Sequence, residues 1–186
     1  MTRKGFTLAE VLVTLVIIGV VAALTIPALL QNANQSEFKS AFKKSLATLN
    51  QAVVMSIAQD STDATTCTNC AGGNTTGLSQ FFIGKLNVLS QNGTAATPYF
   101  YTVDGIKYEF EKADGLCGAS ASVDPGTANC VVKVDVNGGK KPGAESTGSN
   151  STQYAYKDQY RLIVKTSSVL PASNAANNIA VQTLQE

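Results

Sequence analysis

Few side chains in this sequence could do chemistry. Cys67, Cys70, Cys117 and Cys130 form an even set of cysteines, and the first two stand in a C-x-x-C pattern. Such a set can be catalytic, metal-binding or structural. The redox use of C-x-x-C needs a preceding strand in a βαβ setting, whereas Cys67-Thr68-Asn69-Cys70 lies in a polar stretch. An all-cysteine zinc site needs two close-spaced pairs, and twelve residues separate Cys117 from Cys130. Asp135 and Asn137 offer oxygens within one turn, hard donors of the kind Ca²⁺ takes, although Lys140 and Lys141 follow closely and Glu145 is the next carboxylate. The simpler use of these two residues is an Asx–Gly turn between strands. There is no histidine, which removes Ser-His and Cys-His nucleophiles, the commonest general base and every His-containing zinc site. Nothing in the residues supports catalysis, and the chain reads as a non-enzyme with no cofactor, calcium at Asp135 and Asn137 being the one metal to test.

The remaining reactive group is Glu10, the only charge between Phe6 and Leu30. As a helix that run rises roughly 37 Å, against about 30 Å for a hydrocarbon core. Arg3 and Lys4 precede it, so the positive-inside bias keeps the N-terminus cytoplasmic and sends the rest outward. A carboxylate inside a bilayer costs about 2.5–3.5 kcal/mol on insertion scales, so Glu10 calls for a partner. An ordinary secretory signal cleaved near Val21-Ala22-Ala23 and a plain uncleaved anchor are the competing readings. The first leaves the apolar run through Leu24, Ile26, Ala28 and Leu30 unexplained, and neither explains the acid. Pro27 and Gly19 both weaken this helix, as a kink in a membrane span would.

Beyond Leu30 the helix turns amphipathic. Phe38, Ala41, Phe42, Leu46, Leu49, Val53 and Ile57 recur at three- and four-residue steps, with Lys39, Lys43, Lys44, Asn50 and Gln51 between them. One helix is expected from about Phe6 to Ala58, stopped by Asp60-Ser61-Thr62-Asp63, with a loop over residues 59–76. Leu78, Phe81, Phe82, Leu86 and Leu89 predict a short second helix capped by Thr76. Tyr99–Val103 and Ile106–Phe110 flank Asp104-Gly105, a two-residue hairpin turn. Further strands are expected at Val131–Val136, Tyr154–Lys165 and Ile179–Leu184, with a surface loop over 138–153. The fold class is α+β: a long N-terminal helix, its apolar half protruding and its amphipathic half packed on an antiparallel sheet. The boundaries are 1–5 leader, 6–30 transmembrane and assembly half, 31–58 amphipathic half, and 59–186 globular head.

The 186 residues suit one such domain plus its helix. At 44% hydrophobic and 15% charged the chain can fold. Its net charge is +1, and losing Arg3 and Lys4 would take it to −1; no basic stretch exceeds Lys43-Lys44 or Lys140-Lys141, so no nucleic-acid surface is visible. The clustered tyrosines Tyr99, Tyr101, Tyr108, Tyr154, Tyr156 and Tyr160 read as sheet packing rather than a base-stacking platform.

Lys4-Gly5-Phe6-Thr7-Leu8-Ala9-Glu10 followed by the apolar helix resembles the class III signal of type IV prepilins and type II secretion pseudopilins. The resemblance covers about residues 1–55. It implies cleavage between Gly5 and Phe6 by a prepilin peptidase, N-methylation of Phe6, and assembly through Phe6, Glu10, Gly19 and Pro27. The new Phe6 amine and Glu10 of a neighbouring subunit would then pair, each charge requiring the other for axial register. The stretch between Gly19 and Pro27 would locally unwind in a filament; the residues alone are equally consistent with a kink. Implied partners are the membrane before assembly, an inner-membrane assembly platform, and copies of the chain or other pilins afterwards. The head would lie outside the cytoplasmic membrane, and the filament would be extracellular or periplasmic. There disulfides are the default, with Cys117–Cys130 favoured as the closure of a loop through Pro125 and Gly126, Cys67–Cys70 as a local ring, and the cross-linked pairings still open. Val134-Asp135-Val136-Asn137-Gly138, with Pro142 and Gly143, resembles a turn of some pilin-like heads, and some pseudopilins hold calcium in a comparable loop. The functional expectation is a filament subunit of a pilus, a pseudopilin or a minor pilin. A monomeric membrane-anchored binding or redox protein using its C-x-x-C is the reading from another class.

Overall fold

The computed structural model describes residues 5–64, 75–113, 117, 122–140, 158–173 and 179–185. Helix α1 runs Leu8–Asp60 without interruption, roughly 80 Å at 1.5 Å per residue, and carries Pro27 inside it. Ser61, at φ 54°, turns the chain out of the helix, and the Thr62 N–H returns to the Ser56 carbonyl at 3.4 Å.

From Phe38 onward one stripe of α1 is covered. Phe42, Leu49, Ala52 and Val53 are buried, and Phe38, Ala41 and Leu46 pack at their edge. Burying each large apolar side chain contributes about 1.5–3 kcal/mol, which fixes this half of α1 on the sheet. The stripe ends on buried Ser56 rather than on Ile57, which stays 38% exposed. Helical drift explains the change: from Leu49 and Val53 the next covered positions are Ala52 and Ser56, not Ile57.

Among the described residues the sheet has six strands in simple order, all neighbours antiparallel: β1 Val88–Gly93, β2 Pro98–Thr102, β3 Lys107–Ala113, β4 Cys130–Asp135, β5 Gln159–Val164 and β6 Val169–Pro171. Period-two alternation sends Tyr108 and Phe110 of β3, Val132 and Val134 of β4, and Tyr160, Leu162 and Val164 of β5 into the core beneath α1. Phe42 of α1 stacks on Tyr160 with ring centroids 4.1 Å apart. The opposite face carries a ladder of charges: Glu109 takes Lys107 at 2.6 Å and Lys133 at 3.1 Å, and Glu111 takes Lys133 at 3.4 Å and Arg161 at 2.7 Å. Val131 and Ile163 form a small second cluster there with Ala128 and Ala172.

Helix α2 covers Thr75–Ile83, placing Leu78 and Phe82 against Phe110. Several sequence expectations change here. Leu89 belongs to β1, where it is 70% exposed, because the chain leaves the helix at Gly84 and pairs with β2 instead. Thr76 is not a cap: it lies within α2, and its hydroxyl and that of Thr75 donate to the Ala95 carbonyl. The β2–β3 connection is four residues, Val103 to Ile106, of which Val103-Asp104-Gly105 lie inside the closing Thr102–Ile106 hydrogen bond. The Gly105 N–H donates to the Thr102 carbonyl at 2.9 Å and the Thr102 N–H to the Ile106 carbonyl at 3.0 Å, with Gly105 at φ +83°. Residues Ile179–Gln185 form a helix, α3, not a strand: Ala180 and Leu184, one helical turn apart, both reach the core. Strand β6 had no sequence expectation. Tyr154 and Tyr156, and the 65–74 and 141–153 parts of the expected loops, lie outside the described residues.

The short edge strand β6 is held by α1 through one side chain. Asn50 Nδ2 donates to the Val169 carbonyl at 2.9 Å, and its Oδ1 accepts the Val169 N–H at 2.8 Å. The amide thus acts as a one-residue strand neighbour, satisfying both backbone groups at the sheet's margin.

Candidate functional site

At the start of α1, Thr7 is the N-cap in extended conformation (φ −77°, ψ 150°) and Glu10 is the third helical residue. The Thr7 backbone N–H donates to Glu10 Oε2 at 2.8 Å, the Thr7 hydroxyl donates to the same oxygen at 2.9 Å, and the Glu10 N–H donates to Thr7 Oγ1 at 3.3 Å. This reciprocal arrangement is a capping box. A negative side chain is also favoured at the positive end of the helix. Glu10, four residues after Phe6, is therefore held beside the N-terminus of its own helix, its carboxylate bonded to the N–H of Thr7, the residue that directly follows Phe6. The signal is present in the sequence as Thr7-x-x-Glu10, the spacing of a capping box, which gives the acid a local partner besides any in the bilayer.

Behind the box, Leu8–Pro27 has a mean hydropathy of 2.6 and none of it is buried. It is the one described helix long and apolar enough to cross a membrane. Phe6 is 89% exposed, and a Cβ added at Gly19 would meet nothing within 4 Å, so both stand open to a neighbour. Thr25 donates its hydroxyl to the Val21 carbonyl at 2.9 Å, satisfying that polar group inside the helix two residues before Pro27. The single chain shows no unwinding between Gly19 and Pro27.

The other sequence-selected residues lie far along the chain, in the head. Cys117 and Cys130 are bonded, Cα atoms 5.3 Å apart and both fully buried, tying the segment after β3 to the first residue of β4. Cys67 and Cys70 lie outside the described residues. Asp135 is buried and accepts from the Asn137 N–H at 3.2 Å through Oδ1 and from Gln159 Nε2 at 2.8 Å through Oδ2. Asn137 Nδ2 donates to Asp158 Oδ2 at 2.7 Å. Among the described residues no three His, Cys, Asp or Glu side chains cluster as metal ligands do.

Near the base of the head, Lys44 of α1 reaches Asp104 at 2.8 Å, and the Thr102 hydroxyl also donates to Asp104. Partial burial pushes the Asp104 carboxyl up, but these donors and the Lys44 charge outweigh it and the net shift is downward. Around that turn Glu37, Phe38, Asp104, Gly105, Asn137 and Lys140 border an open cleft of about 350 Å³.

Residues 1–26 match the family model described as the prokaryotic N-terminal methylation motif. No curated protein and no solved structure matches the chain. The exposed apolar helix that opens on Thr7 and Glu10 thus begins with a prokaryotic N-terminal methylation motif, the class III prepilin signal of type IV pilins and pseudopilins.

Proposed function

We propose that this protein is a structural subunit of a type IV pilus-like filament, exported as a prepilin, cut between Gly5 and Phe6, methylated at Phe6 and assembled through α1. The observation that carries the reading is the division of α1. Its second half completes the core, while Leu8–Pro27 stays wholly uncovered and needs lipid first and other helices later. A soluble monomer would not leave such a surface bare.

Cleavage after Gly5 would create a cationic amine at Phe6, next to a capping box that already orients the Glu10 carboxylate toward the helix start. Inside an apolar bundle, a Phe6 amine and a Glu10 carboxylate from adjacent subunits relieve each other's desolvation. A subunit displaced along the bundle leaves both groups unpaired, so the pair selects one axial register. Gly5, lacking Cβ, lets a membrane peptidase approach the backbone closely. The motif belongs to structural pilin-type proteins, and the site so built binds and aligns rather than catalyses.

The test is mass spectrometry of filaments sheared from cells that express the chain, with the wild type beside Glu10→Gln and a Gly5 deletion. The wild type is expected to begin at methylated Phe6. The deletion should remain unprocessed in the membrane, and Glu10→Gln should be processed yet absent from the sheared fraction. Filaments that retain Met1, or that form as well with glutamine at position 10, would overturn the proposal.

A further inference from the structure

The sequence contains two Asn-Gly pairs, Asn92-Gly93 and Asn137-Gly138, and the fold treats them in opposite ways. Asn92 is exposed as the next-to-last residue of β1, just before the β1–β2 connection. Its side-chain Oδ1 lies 2.7 Å from the Gly93 backbone nitrogen, which points its N–H at the amide of the residue before it. That contact brings the Gly93 nitrogen alongside Cγ of Asn92. Asn137 is half-buried: its Nδ2 is held at 2.7 Å by Asp158, a fully buried carboxylate, and the Gly138 N–H donates to the Asp135 carbonyl at 3.3 Å.

We infer that Asn92 is a site of spontaneous deamidation and that Asn137 is protected from it. The Gly93 nitrogen, its proton taken by solvent base, attacks Cγ of Asn92. A C–N bond forms, the bond from Cγ to the side-chain nitrogen breaks, and that nitrogen leaves as ammonia after taking a proton. Water then opens the five-membered imide at either carbonyl, giving aspartate or isoaspartate. The sum is one amide plus water becoming one acid plus ammonia, with no redox change.

The fold cannot remove the reactive pair by changing the second residue. Gly93 sits at φ +105°, and a Cβ there would lie 2.5 Å from the Thr97 carbonyl oxygen and 2.9 Å from Pro98 Cα. Glycine is thus required by the close approach of the two strand ends, and it is also the residue that leaves its nitrogen least shielded. The product has a local consequence. Aspartate puts a charge into Gln91–Thr97, a stretch with none, and isoaspartate lengthens the backbone where Asn92 pairs with Tyr99.

The experiment incubates the full chain in detergent micelles at mildly alkaline pH, folded and in denaturant, and maps both peptides by mass spectrometry over time. In the folded protein the Asn92 peptide is expected to convert at least about tenfold faster than the Asn137 peptide, and in denaturant the two rates should converge to within about threefold. Asn92→Gln should abolish the fast conversion and leave the slow one unchanged. The inference is overturned if Asn92 persists in the folded chain while both sites react in denaturant, or if Asn137 reacts as fast as Asn92 when folded.

Discussion

Thr7 and Asn50 show how much one polar side chain decides in this molecule. Thr7 supplies both a backbone and a hydroxyl donor to Glu10. Replacing it by alanine removes the hydroxyl half of the capping box, worth about 1 kcal/mol of local helix stability. Amide exchange at residues 8–11 should therefore quicken in Thr7→Ala and recover in Thr7→Ser. Asn50 makes the stronger case. Asn50→Ala leaves the N–H and C=O of Val169 without their partner, and the expected loss is about 1–3 kcal/mol in urea unfolding. In the sequence Asn50 reads as one more solvated residue between the apolar positions of α1. Its partner lies 119 positions away, and no local pattern reports a contact of that separation. Thr7-x-x-Glu10, by contrast, is legible because both halves fall within one helical turn.

Elements with a clear period were legible and those without one were not. The long helix, β2, β3, β4 and β5 follow from apolar spacing. The second half of α1 has one covered stripe, and β2 and β3 largely alternate buried and half-exposed residues. Strands β4 and β5 keep the period through Lys133 and Arg161, although Val131 and Ile163 are buried on the other face as well. Strand β1 escapes because its exposure is nearly complete and Leu89 lies at helical spacing from Leu86 while facing solvent. Helix α3 escapes because seven residues are too few to separate the two periods. Its contribution shows at Tyr160: burial raises the phenol, a hydrogen bond from Thr183 of α3 opposes this, and the group ends pushed up to about 12. The Cys117–Cys130 bond closes a loop with a sequence separation of 13, for which chain entropy gives about 3 kcal/mol. The double variant Cys117→Ala/Cys130→Ala should lose about that much in chemical denaturation, with the core strands still formed by circular dichroism.

For the whole molecule, the charge ladder on the outer face sets how stability should vary with pH. Burial raises the Glu109 carboxyl, but hydrogen bonds and charge from Lys107 and Lys133 lower it further, so the net shift is downward. Burial lowers Lys133, and Glu109 and Glu111 more than reverse it. The stability from Glu109 and Asp104 is present above the ordinary carboxylate range and is lost as pH falls through their depressed values. That from Lys133 is present below the ordinary lysine range and is lost as pH rises through its raised value. Buried Tyr108, raised chiefly by desolvation, also favours its neutral form and adds to the alkaline loss. Thermal midpoints should thus be flat through neutrality and fall on both sides. Calcium or a chelator is expected to leave the midpoint unchanged, because both Asp135 oxygens are occupied by donors of the protein itself. Finally, Leu8–Asp60 is one unbroken rod. Tension entering at its N-terminal end passes only the missing backbone donor of Pro27 before it reaches Phe42, Leu49 and Val53, so while the helix holds there the load is borne as shear across the core rather than as the stretching of a tether.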